Sequence, residues 1–180
     1  MDKIKRYKYT IYLVLGSVSA ALLIPTISSL IETLSNYKST YLYISLIKNI
    51  CILVAEISFI IIGVRRELNK TIIMTSATLY YVAQASYRVY LMIDTKNYQY
   101  IYYLIIDALC LTFTILALTD KRYLFGSIII LLVDAAFSLV NTFAGSQLDF
   151  SFLILSIMLM SSIYFYNISN NYDNDSPYYS

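Results

Sequence analysis

The chain contains no histidine and no tryptophan, only 4 glycines, 2 prolines and 2 cysteines, and few charges of either sign. Each shortage removes a class of protein. Without histidine there is no imidazole for acid–base catalysis or metal ligation. Cys51 and Cys110 both fall inside apolar runs, so buried thiols are expected rather than a disulfide framework. Scarce glycine and proline exclude collagen-like and low-complexity chains. Charged residues make up 13% of the 180, against about 25% in a soluble domain, so the solvated surface of a water-soluble fold is missing. The net charge is +2 and the basic residues are scattered between apolar runs, which argues against nucleic acid as a partner. No G-x-S-x-G, phosphate-binding loop or H-E-x-x-H is present. Asp107 and Asp134 could form an intramembrane aspartic pair, but no glycine-rich flank accompanies them. The reading therefore leans against an enzyme and names no catalytic residue, cofactor or metal.

What the chain does have is apolar sequence: 59% of its residues are hydrophobic. About 20 apolar residues are needed to cross the hydrocarbon core. Six runs meet or approach that length: Tyr9–Leu34, Tyr41–Val64, Thr71–Ile93, Tyr98–Leu118, Tyr123–Ala144 and Phe150–Tyr166. They are continuous rather than alternating, which favours helices over a barrel. The first is longer than a signal-peptide core and lacks a small-x-small cleavage site, so a cleaved leader is not expected. The expected fold class is all-α: a polytopic membrane protein with six transmembrane helices joined by short loops.

Lysine and arginine give the orientation. Lys3, Lys5, Arg6 and Lys8 precede the first span, and Arg65, Arg66, Lys70, Lys121 and Arg122 occupy the second and fourth loops. Only Lys38 and Lys96 fall on the other side. Both termini are thus expected in the cytoplasm of a bacterial plasma membrane. Residues 1–8 form a basic N-terminus, 9–166 the membrane domain, and 167–180 a polar tail expected to be disordered. Spans two and four open alike, Tyr41-Leu42-Tyr43 and Tyr100-Ile101-Tyr102, and reach Cys51 and Cys110 at one offset. A duplicated two-helix hairpin is one reading and chance likeness between Tyr- and Ile-rich helices the other. The offset sets Lys48 and Asp107 at matching depth.

Polar residues recur at helical spacing. Asp107, Cys110 and Thr114 follow Tyr100 and Tyr103 along span four. Ser127, Asp134, Ser138, Asn141 and Gly145 mark span five, and Ala77, Tyr81, Gln84 and Arg88 span three. Ser45, Asn49, Glu56 and Gly63 mark span two, with Lys48 beside them. Ser17, Ala21, Ser28 and Glu32 mark span one, and span six has Ser151 and Ser162. Facing lipid, these groups would be unpaired, so the stripes are expected to face each other in a polar seam. Depth suggests two pairings, Lys48 with Asp107 and Arg88 with Glu32 or Asp134. Glu56 is left without a cation. Such a carboxyl can take up and release a proton as its surroundings open and close. Paired charges that merely fix which helices touch are the plainer alternative. Pro25 either kinks span one or breaks one backbone bond that Thr26 or Ser28 helps repair.

The 20 tyrosines gather toward the membrane faces as an aromatic belt would. Tyr103 shares its stripe with Asp107, and Tyr80 and Tyr81 sit mid-span, where a belt does not account for them. One of the two is expected to hydrogen-bond into the seam.

The resulting topology resembles that of the substrate-binding subunits of energy-coupling-factor vitamin transporters. Ser17, Ala20 and Ala21 would correspond to their small-residue docking face. The first outer loop, Ser35 to Thr40, lacks the glycine such loops carry, and no site residue is implied by the likeness.

The expectation is a membrane protein that transports or conducts a small solute or ion, with proton coupling as one mode. Its binding residues would be Asp107, Asp134, Glu56, Tyr103, Gln84 and Asn141, and its counter-ions Lys48, Arg88 and Glu32. The alternative is a non-transporting membrane subunit: a sensor, an anchor, an immunity factor or an oligomerising effector. A cytoplasmic partner would then dock at Arg65, Arg66, Lys121 and Arg122. Either reading admits a homo-oligomer.

Overall fold

The computed structural model describes residues 2–35, 42–143 and 147–174, with side chains for 7, 9–35, 42–140 and 152–169. All the regular structure among these residues is helical: α1 (Asp2–Ser35), α2 (Leu42–Arg65), α3 (Lys70–Thr95), α4 (Tyr100–Thr119), α5 (Leu124–Phe143) and α6 (Gln147–Asn174), with a 3-10 turn at Lys121–Tyr123. The helices follow the apolar runs and exceed them at two points. α1 begins within the basic N-terminal residues, and α6 continues about two turns past Tyr166. Asn141, Gly145 and Ser151, expected in the seam, lie outside the residues whose side chains are described.

Short connections fold each helix back on its predecessor. Arg66 and Lys96 adopt the left-handed conformation that closes α2 and α3. Asn69 caps α3 by accepting from the Thr71 amide at 2.8 Å. Asp120 accepts from the Arg122 amide at 2.9 Å and starts the turn into α5.

α1, α2, α4, α5 and α6 are each long and apolar enough to cross a membrane. α3 is as long, but its middle carries Tyr80, Tyr81, Gln84 and Arg88. Its position accounts for that composition. α3 packs on α2, α4 and α6, and α6 in turn touches α5, α3, α4 and α1. Packed on three helices, α3 can hold polar side chains because neighbours supply partners for Tyr80, Gln84 Nε2 and Arg88.

Outside, the bundle is greasy: Ile24, Ile47, Val64, Ile105, Phe125 and Val140 are all exposed. Inside, Lys48, Asn49, Glu56, Gln84, Arg88, Asp107 and Asp134 are buried with Phe59, Ile73 and Leu159. The stripes of spans two to five therefore turn inward wherever they are described. α1 does not follow. Its buried face is Tyr12, Leu15, Ser19, Leu22 and Thr26, while Ser17, Ala20, Ala21, Ser28 and Glu32 are exposed.

A glycine crossing decides that rotation. Gly16 and Gly63 meet so closely that a Cβ on Gly63 would lie 2.7 Å from Gly16 Cα and 2.9 Å from the Tyr12 carbonyl oxygen. Both obstacles are backbone and cannot turn aside. Gly63→Ala should push α1 and α2 apart and cost about 1–3 kcal/mol. Gly126→Ala meets only the Phe113 ring, at 3.0 Å, which can rotate. Unfolding in detergent micelles should rank Gly63→Ala well below Gly126→Ala and wild type.

Candidate functional site

The polar centre is built from α3, α4, α5 and α6. Gln84 and Arg88 are one turn apart on α3, so both reach the same side. Arg88 Nη1 lies 3.0 Å from Asp107 Oδ1 on α4, and Nη2 lies 3.6 Å from Asp134 Oδ1 on α5. Gln84 Nε2 donates to Asp134 Oδ1 at 3.2 Å. From α6, Ser156 Oγ donates to Asp134 Oδ2 at 2.7 Å. The Tyr80 hydroxyl stands 2.7 Å from Ser156 Oγ, 3.0 Å from the Phe152 carbonyl oxygen and 3.4 Å from Asp134 Oδ2. Tyr80 and Ser156 thereby form a short relay ending on the carboxylate.

The Arg88 guanidinium also lies over the Tyr103 ring, 5.0 Å from its centroid, a cation–π contact that strengthens where water is excluded. Tyr103 meets Phe137 edge to face at 5.4 Å. Tyr103 thus packs on the centre on the side away from Thr114 and Ser127.

Charge does not balance here. One guanidinium faces two carboxyl groups, and Asp107 Oδ2 is buried with no hydrogen-bond donor. Gln84 Oε1 is likewise buried and unpartnered. An ionised pair is therefore short of one positive charge, which a proton or a small cation would supply. Desolvating ions costs several kcal/mol each, so an uncompensated one is seldom retained for packing alone.

The pairing differs from the depth-based expectation. Lys48 does stand level with Asp107, but the two lie on either side of α3. Lys48 Nζ sits over the Tyr87 ring at 5.2 Å, while the next residue, Arg88, takes Asp107. Among the described side chains Lys48 has no carboxylate within ion-pair distance. Glu32, named as a counter-ion, is exposed on α1 and does not approach Arg88. It precedes Thr33, which receives the Asn49 amide at 3.0 Å, and one residue on a helix turns about 100°.

Glu56 forms a separate polar point between α1 and α2. Its side chain is fully buried. Thr26 Oγ1 lies 2.8 Å from Oε1, and Oε2 has no partner. The same hydroxyl lies 3.1 Å from the Leu22 carbonyl oxygen, and one proton cannot serve both acceptors at full strength. The bond lost at Pro25 would have gone to Ala21, so Thr26 does not repair it. Asp134 and Glu56 are thus members of two distinct sites.

Ser156 was not singled out in the sequence. Five serines punctuate α6, at 151, 156, 161, 162 and 169, and nothing local marks the one that meets Asp134. Tyr80, of the mid-span pair, is the residue that bonds into the seam.

Arg88→Met would leave two buried carboxylates facing one another and should destabilise the protein by about 3–5 kcal/mol. Adding Asp107→Asn and Asp134→Asn removes the charges together and should recover most of that loss. Unfolding of the single and triple variants in one detergent measures both effects.

Comparison with protein-family models, with curated proteins and with solved structures finds no match to this chain. The functional reading therefore stands on the geometry of the centre.

Proposed function

We propose that the chain crosses a bacterial plasma membrane six times, with both termini in the cytoplasm, and that it moves a small cation, the proton included, through the Arg88–Asp107–Asp134 centre. One observation carries the reading: a buried cluster of two acids and one base, with a carboxylate oxygen left unpartnered. In this account Asp107 and Asp134 bind the cation. Arg88 is the internal counter-ion that holds the site when it is empty, and Gln84 and Ser156 orient Asp134. Tyr103 backs the guanidinium. Glu56 is a second proton-handling group, set apart at the α1–α2 seam. α3, the Thr71–Ile93 run, is the sixth crossing helix, its polar middle packed against α2, α4 and α6. The lysines and arginines at 65, 66, 70, 121 and 122 put that end of the bundle in the cytoplasm. A duplicated hairpin, α2–α3 and α4–α5, belongs to the same proposal.

A second reading is supported by α1. Its exposed Ser17, Ala20, Ala21, Ser28 and Glu32 form a small and polar face that another helix could cover. The chain would then be a non-transporting subunit, docking an acidic cytoplasmic partner at exposed Arg65, Arg66, Lys121 and Arg122. A stoichiometric soluble partner in detergent extracts favours this reading. A cation-dependent thermal shift of the isolated protein favours transport.

In sealed vesicles containing the purified protein, a cation or proton gradient should dissipate faster than in empty vesicles. Asp134→Asn should abolish the difference while the amount of folded protein is unchanged. Undiminished flux in that variant, or none in wild type, overturns the transport reading.

A further inference from the structure

Hydroxyls on buried helices usually turn back onto the carbonyl one turn earlier. Ser58, Ser76, Thr112 and Ser162 all do so here. Thr114 and Ser127 do not. Both are fully buried, and among the described residues neither oxygen has a hydrogen-bond partner.

The two belong to one layer. Cys110 Sγ reaches the Ile130 carbonyl oxygen across the α4–α5 interface at 3.6 Å. Thr114 is about one turn further along α4, and Ser127 about one turn further along the antiparallel α5. Both steps lead toward the end that carries Lys121 and Arg122. Above them the Tyr81 hydroxyl faces the Cys110 thiol, a weak partner, and makes no conventional hydrogen bond. Above that lie the unpartnered oxygens of Gln84 and Asp107.

These oxygens do not converge on a point. No group of three or more His, Cys, Asp or Glu side chains that could hold a metal ion is found among the described residues; single polar atoms succeed one another along the bundle instead. Each water in a buried chain needs about 2–4 polar partners, and a string of such groups provides them. On the other side of the centre stand the Tyr103 and Phe137 rings, edge to face at 5.4 Å, with no string of unpartnered oxygens among the described residues.

We infer that Tyr81, Cys110, Thr114 and Ser127 line a file of ordered waters leading from the Arg88–Asp107–Asp134 centre toward the basic end, and that the species passed along it is the proton. The inference rests on the proposed role of the centre and narrows the cation to H+. The proton moves by relay between waters and hydroxyls, with no covalent intermediate and no net change in any side chain.

Accessibility tests the file without any transport. In protein carrying Cys51→Ser and Cys110→Ser, Thr114→Cys should react with a charged methanethiosulfonate reagent applied at the basic side of sealed phosphatidylcholine–phosphatidylglycerol vesicles. It should not react from the opposite side. Labelling from neither side, or equally from both, overturns the file. In the same vesicles loaded with a pH-sensitive dye, Thr114→Val combined with Ser127→Ala should slow proton entry about tenfold, the kinetic equivalent of one hydrogen bond. Thr114→Ser should leave it near wild type. Undiminished entry in the double variant overturns the proton assignment. One-sided labelling in protein that passes no proton overturns that assignment and the transport reading, and upholds the file alone.

Discussion

A single guanidinium held between two carboxyl groups determines how the inner helices meet. Arg88 cannot be desolvated alone, and neither can Asp107 or Asp134. Together they are tolerable only where α3, α4 and α5 bring them within about hydrogen-bond reach, and Ser156 on α6 completes the set. Four helices are thereby fixed in rotation and depth. Apolar packing alone would hold them less specifically, because lipid tails compete on equal terms with leucine and isoleucine. The cost is a centre in which one guanidinium faces two carboxyl groups.

The α1–α2 pair obeys a different constraint. Close approach at Gly16 and Gly63 places the helices in backbone contact, and hydrogen bonds from α1 hydroxyls and the Asn49 amide then line the seam. Glu56 sits in this seam, away from the Arg88 centre. Among the described residues there are therefore two polar systems, one shared by four helices and one belonging to a hairpin. α1 relies mainly on α2 for its place in the bundle, with Ser19 Oγ lying 3.8 Å from Met158 Sδ on α6 as a lesser tie.

Several features of the site were legible from spacing. Gln84 with Arg88 on α3, and Asp107 with Cys110 and Thr114 on α4, share faces by helical period, and those faces are buried. The cation opposite Asp107 was not legible. Depth made Lys48 as suitable as Arg88, yet depth says nothing about which helix lies between. α3 separates α2 from α4, so the residue on α3 takes the carboxylate. Glu32 illustrates the same gap in rotation: its face carries polar residues at helical spacing, yet backbone contact at Gly16 turns that face outward.

Composition and periodicity were sufficient for an all-helical chain, for the approximate limits of its helices, and for the inward direction of most polar stripes. Those properties are local, since apolar length and a 3.6-residue repeat are written along one helix at a time. Which acid meets which base, which of the five α6 serines completes the centre, and that Thr114 and Ser127 are left without partners all depend on contacts between helices. Such contacts follow from crossing geometry and neighbour order, and no single helix encodes either.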